Sequence, residues 1–158
     1  MDRGYIYLNK KSFLQNLEVL KNLSRKELCL VVKANAYGHG LEWAVKNAKE
    51  FGVKWFAVAS VDEGLQVKKV YVDSRVLVLA EPSIVQLENV KANDIDLTVY
   101  NESFIDTLIE TGQEYSVHLK IDTGMHRLGC PPEKFYDLYK KIVAVSYTHL
   151  TLPTIYSV

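Results

Sequence analysis

Five short runs rich in β-branched residues recur along the chain, and stretches with helical periodicity lie between them. This alternation constrains the fold more than any single residue. The runs are residues 28–32, 54–59, 75–79, 95–99 and 115–121. A further short β-prone piece, residues 5–8, precedes the first helix. Ser12 and Gln15 form a capping-box pattern ahead of Phe13, Leu14, Leu17 and Leu20 at helical spacing. Leu41, Ala44, Val45, Ala48 and Phe51 make a second stripe that ends at Gly52, a natural C-terminal cap. Ser60 with Glu63, and Ser83 with Gln86, repeat the capping pattern before two more helices, the second running to about residue 92. Asn101 precedes Phe104, Ile105, Leu108 and Ile109 in a helix closed by Gly112, and Pro132 opens the last one.

Strands alternating with helices through short connections predict right-handed βαβ units and a parallel sheet. A doubly wound open sheet and a closed barrel both fit that pattern. No GxGxxG marks a dinucleotide crevice, and the two most distinctive polar blocks each begin inside a strand and run past its C-terminal end. Barrel chemistry sits at that end of the strands, so the barrel is preferred. A complete barrel needs ~250 residues, and this chain has 158. The expectation is therefore a partial (β/α)₈ barrel of about five βα units.

The first polar block, residues 31–40, reads VVKANAYGHG. It follows the run 28–32, which suits a strand buried on both faces, and sets Lys33 at the mouth of that strand. An amine at a dry site has its ammonium form disfavoured, which frees it as a nucleophile or base. A solvated strand-end lysine is the alternative reading of that residue alone. The second block, residues 117–129, reads VHLKIDTGMHRLG.

Charge does little to identify a partner. Lys+Arg and Asp+Glu number 19 each, so no global field favours nucleic acid or an anionic membrane. No apolar stretch approaches a membrane span, and MDRGYIYLNKK lacks the apolar core of a secretion signal; a cytoplasmic protein is the expectation. Cys29 and Cys130 are read as reduced thiols, with Cys29 expected to be buried. His39, His118, His126 and His149 show no metal-binding spacing, so no metal site is expected.

VVKANAYGHG resembles the pyridoxal-phosphate attachment motif of the alanine racemase family, and VHLKIDTGMHRLG resembles that family's other well-marked stretch. The resemblance runs from about residue 5 to residue 142. It implies a (β/α)₈ barrel followed by a β domain, pyridoxal 5'-phosphate as cofactor, a small amino acid as substrate and a homodimer. By that resemblance Lys33 carries the cofactor and serves as the base for the D-enantiomer. A tyrosine from a second subunit, absent from this sequence, serves the L-enantiomer. Tyr37 matches a position that reaches the cofactor phosphate, although a packing aromatic beside Gly38 fits the spacing equally well. Arg127 matches an arginine that contacts the substrate carboxylate and the cofactor oxygen. Lys120 matches a lysine often carbamylated in the family, whose anion steadies that arginine; Asp122 could neutralise the pair instead.

The implied activity is racemisation of L- and D-alanine, which supplies D-alanine for peptidoglycan. The form TGMHRLG also occurs in relatives acting on serine, so serine or broader specificity stays open. A barrel decarboxylase of the same cofactor class and a non-catalytic pyridoxal-phosphate carrier are rival readings, which the second block argues against.

From residue 144 the pattern changes. The end, AVSYTHLTLPTIYSV, resembles a translated transposon-end adapter of a shotgun sequencing kit. Residues 1–143 are thus expected to be the N-terminal part of the barrel and residues 144–158 a non-native tail. Such a fragment is expected to be inactive on its own and prone to aggregate along an unpaired edge.

Overall fold

The computed structural model describes residues 4–144 and the backbone of residues 148–150. The tail assigned to an adapter lies outside the described residues, apart from Ala144 and the backbone at Thr148–Leu150. The chain divides into two compact units, residues 1–76 and 77–158.

The first unit opens with an extended segment in which Tyr5, Ile6 and Tyr7 are exposed, so the β-prone piece forms no strand. Helix α1 (Lys10–Ser24) begins earlier than the Ser12 pattern predicts. The Asn9 side chain accepts the Ser12 amide at 3.0 Å, which makes Asn9 the cap and places Ser12 inside the first turn. Strand β1 (Cys29–Val31) pairs in parallel with β2 (Trp55–Val58), with Leu30 opposite Phe56. Helix α2 (Leu41–Phe51) connects them, and α3 (Val61–Val70) follows β2. Arg75, at the start of β3 (Arg75–Val78), donates its amide to the Lys54 carbonyl at 2.8 Å.

Val45, Ala48, Phe56, Val58, Val61 and Val67 are shut off from solvent and form the core of this unit. Each valine withdrawn from water contributes about 1.5–3 kcal/mol. Phe13 of α1 meets Trp43 of α2 at 5.2 Å between ring centroids. Strand β1 departs from expectation, because Cys29 and Val31 are exposed and Leu30 is only partly covered. An apolar run suggests cover on both faces, but the face bearing Cys29 and Val31 is open, and burial begins at Val32. Near the N-terminal ends of β1 and β2, Lys21, Arg25, Lys26 and Lys54 line a cavity of about 450 Å³ beside the last residues of α1 and α2. Cations there complement the unpaired carbonyls at helix C-termini.

In the second unit, a 3₁₀ turn (Ile84–Gln86) leads into α4 (Leu87–Ala92). Strand β4 (Ile95–Val99) and strand β5 (Tyr115–Leu119) run parallel, with Thr98 opposite His118, and β6 (Thr148–Leu150) pairs with β5. Helix α5 (Glu102–Glu110) is capped by Asn101, and α6 (Phe135–Ala144) is entered through a 3₁₀ turn at Pro132–Lys134. Val99 and Val117 of the strands meet Ile105, Leu108, Ile109 and Ile142 of the helices. The opposite side of β4 and β5 is polar. There Asp96 and Thr98 are buried, and His118 Nε2 lies 3.4 Å from Asp96 Oδ2. Among the described residues, no helix is long and apolar enough to cross a membrane.

Candidate active site

Lys33 stands where β1 gives out. Val32, fully buried, is the last residue tied to the neighbouring strand, its amide donating to the Ala57 carbonyl at 2.9 Å. The chain then turns the wrong way for L-residues. Ala34, Asn35 and Ala36 have φ of 51°, 54° and 52° with ψ of 51°, 46° and 49°, and Tyr37 has φ 52°. This is one turn of left-handed helix, a conformation that costs roughly 1–2 kcal/mol for each such residue.

Contacts within the block hold the turn. The Ala36 amide donates to the Val32 carbonyl at 2.8 Å, and the Gly40 amide to the Asn35 carbonyl at 2.9 Å. The Asn35 side-chain oxygen accepts the Leu41 amide at 2.8 Å, so the motif itself caps α2. His39 Nδ1 lies 2.9 Å from the Ala36 carbonyl oxygen. A carbonyl only accepts, so Nδ1 carries the hydrogen. Gly38 and Gly40, with φ of 86° and 91°, take the positions that a side chain would strain. His39 and the two glycines thus shape the loop.

Among the described residues, one long-range side-chain hydrogen bond reaches this turn. The Glu63 carboxylate accepts the Ala34 amide at 2.6 Å through one oxygen and the Ala59 amide at 2.8 Å through the other. The Ser60 hydroxyl accepts the Glu63 amide at 3.3 Å, which makes Ser60 the cap of α3 as the sequence predicts. A closed capping box would return the Glu63 side chain to the Ser60 amide. Here it goes instead to Ala59 and across to the residue after Lys33.

Lys33 itself is half-buried, and its ammonium lies 6.0 Å from the centroid of the Tyr37 ring. Tyr37 is 60% exposed.

The second block is built in the second unit. Lys120, directly after β5, donates its amide to the Val99 carbonyl at 2.9 Å and accepts the Cys130 amide at 2.8 Å; its side chain is half-buried. The loop between closes on itself. Asp122 donates its amide to the Cys130 carbonyl, and its carboxylate accepts the Gly124 and His126 amides at 2.9 and 3.0 Å. Those amides hold the Asp122 carboxyl below the usual aspartate range. Asp122 therefore organises this loop through the amides that it binds. Gly129 passes so close that a Cβ there would lie 2.5 Å from the Asp122 nitrogen. Arg127 is exposed on the loop, beside an exposed His126 with φ 55°.

Sequence reasoning missed two carboxylates that bind backbone amides just past strand ends. Glu63 carried a visible helix-start signal, but nothing in the sequence announces its reach to Ala34. Glu81 accepts the Tyr100 and Asn101 amides at 3.1 and 3.0 Å, and burial pushes its carboxyl up from the usual glutamate range.

Residues 8–157 match the family described as "Alanine racemase, N-terminal domain". An amino-acid racemase of Enterococcus faecalis is 34% identical across 99% of this chain and 22% of its own length. An alanine racemase of Helicobacter pylori is 32% identical across 94% of this chain and 43% of its own. Among solved structures, the alanine racemase of Oenococcus oeni superposes with a TM-score of 0.81 at 31% identity, covering 90% of this chain and 42% of that one. The biosynthetic alanine racemase of Pseudomonas aeruginosa gives 0.80 at 26%, covering 89% and 41%. The chain thus spans less than half the length of these relatives. Agreement at that level decides between the two sheet architectures in favour of the racemase barrel. The same residues carry both the parallel βα units and the match, and the chain belongs to the alanine racemase N-terminal domain family.

Proposed function

We infer that this chain supplies the lysine-bearing part of a pyridoxal-phosphate-dependent amino-acid racemase acting on alanine. One observation carries the reading: a half-buried primary amine at the C-terminal end of a parallel strand, on a turn whose backbone is fixed from several sides. The side chains suit the cofactor. Lys33 offers an amine to its aldehyde, and Tyr37 offers an exposed hydroxyl to its phosphate.

Pyridoxal phosphate bound there supplies an electron sink that makes the α-hydrogen of an amino acid acidic. The Lys33 amine, set free once the substrate's own amine has taken its place on the cofactor, would take and return that hydrogen on one face of the α-carbon. Arg127 holds the substrate carboxylate in its planar fork, which a lysine would do less well. Lys120, carbamylated, presents an anion to Arg127. The opposite face needs a second base, a tyrosine of a second subunit in sequence outside this chain, so the working unit is a homodimer. D-Alanine made in the cytoplasm for peptidoglycan is the product.

The test uses the full-length gene product. Incubation with pyridoxal phosphate followed by borohydride reduction should leave the added mass on the Lys33 peptide, and L-alanine should be racemised. Lys33→Ala should abolish both, and persistence of either in that variant would sink the reading. Binding without turnover would instead identify a carrier. Serine turnover above alanine turnover would favour the second reading, which the 31% identity to a serine/alanine racemase of Enterococcus gallinarum supports. Intact mass in bicarbonate tests Lys120, which should carry an added carboxyl.

For residues 144–158 the proposal remains a translated adapter. The family match reaches residue 157 and speaks for a divergent natural tail instead. The codons for residues 145–154 decide between them.

A further inference from the structure

We propose that Glu63 is the positioning residue for Lys33, its carboxylate fixing the left-handed turn by holding the Ala34 and Ala59 amides together. The proposal rests on Lys33 as the reactive amine and goes beyond it by naming what aims that amine.

Three observations converge. First, Ala34 is the residue after Lys33, and its amide is bonded at 2.6 Å, so the peptide plane joining Lys33 to Ala34 is held from outside the block. Second, the other carboxylate oxygen takes the amide of Ala59, just past the end of β2, which is already in register with β1 through the Val31–Ala57 pairing. The bridge therefore ties the disfavoured turn to a rigid element rather than to another loop. Third, a carboxylate is the side-chain group suited to this position. It has two acceptor oxygens and no donor, whereas glutamine would direct an amide hydrogen at one of the two N–H groups.

The mechanical consequence is direct. Four successive residues with φ above 50° open the turn toward ordinary right-handed or extended geometry once a restraint is lost. Any such relaxation rotates the Lys33–Ala34 peptide and swings the amine away from its present direction.

The experiment compares Glu63→Gln, Glu63→Asp and Ser60→Ala in the full-length gene product. Ser60→Ala removes the cap of the same helix without touching Ala34. Two quantities are read on cofactor-free protein, well below its melting temperature: amide hydrogen exchange at Ala34, and the rate at which pyridoxal phosphate is trapped on Lys33 by borohydride. Loss of a hydrogen bond to a charged acceptor should speed Ala34 exchange roughly ten- to a hundredfold in Glu63→Gln. Trapping on Lys33 should slow at least severalfold. Ser60→Ala should lower the melting temperature and leave both readouts as in the parent. Glu63→Asp, one methylene shorter, should behave like Glu63→Gln, and it serves as the test if that variant does not fold.

Unchanged exchange and trapping in the Glu63 variants would overturn the proposal, as would equal changes in Ser60→Ala, which would trace the effect to helix capping alone. If the parent itself traps no cofactor on Lys33, the functional reading fails instead. The exchange result would then still report whether Glu63 holds the turn.

Discussion

The side-chain oxygen of Asn35 accepts the backbone N–H of Leu41 at 2.8 Å, so one residue of the left-handed turn also starts the helix that follows. Gly40 stands at the N-cap position of that helix and offers no side chain of its own to cap it. Asn35 is suited to both tasks. It tolerates positive φ better than most residues, and its amide oxygen is a strong cap. Asn35→Ala should therefore lower stability by about 0.5–2 kcal/mol, read as a fall in the denaturant midpoint, with Asn35→Asp close to the parent. An unchanged midpoint in the alanine variant would show that backbone contacts alone hold the block.

Gly129 allows the loop after β5 to close. A methyl group there would press against the Asp122 nitrogen and the Ile121 carbonyl carbon, at 2.5 and 2.8 Å, and φ is 139°. Both neighbours are backbone and cannot swing aside. Gly129→Ala should cost on the order of 1–3 kcal/mol from backbone strain alone. Thermal unfolding checks this, and a variant as stable as the parent would contradict the closeness of that packing.

Two carboxylates should respond to pH in opposite senses. Asp122 titrates below its ordinary value because the Gly124 and His126 amides bond its charged form. Its contribution is thus present above the ordinary aspartate range, about pH 3.9, and is lost as pH falls through the lower folded value. For Glu81, burial outweighs the Tyr100 and Asn101 amides and raises the carboxyl. Its contribution is complete below the ordinary glutamate range and fades as pH rises through the folded value. Amide chemical shifts of Gly124 and Tyr100, followed from pH 2 to 7, should bend below and above those ordinary ranges respectively. The reverse order would refute both assignments.

Arg127 lies exposed on its loop, so its loss should leave folding intact. If it holds a substrate carboxylate, Arg127→Lys should lower kcat/KM roughly ten- to a hundredfold, the value of a charge-assisted contact, with the melting temperature unchanged. A parallel fall in stability would make it a structural residue.

Much of this was legible before any coordinates. The alternation of short apolar runs with capped helical stripes located the βα units, and Lys33, Tyr37, Lys120 and Arg127 stood out through the blocks that contain them. Asn9 displaced Ser12 as the first cap because an amide oxygen three residues before an amide can claim it, a competition that spacing does not resolve. Cys29 was misjudged because an apolar run reports composition and not how many neighbours a strand has. The left-handed turn was hidden for a different reason. Ala34 and Ala36 have no intrinsic preference for positive φ, so the conformation is imposed by Val32, Asn35, Gly40 and Glu63 acting from both sides. A contact between positions 34 and 63 leaves no periodic trace.

The handedness of that turn has one more consequence. Angles near +52° and +49° are the mirror image of an ordinary helix, so they are the comfortable geometry for amino acids of the opposite configuration. A semisynthetic protein carrying D-alanine at positions 34 and 36 should therefore be more robust than the natural one, by roughly 1–2 kcal/mol for each inverted centre. Here the backbone conforms to a stereochemistry that its own building blocks do not have.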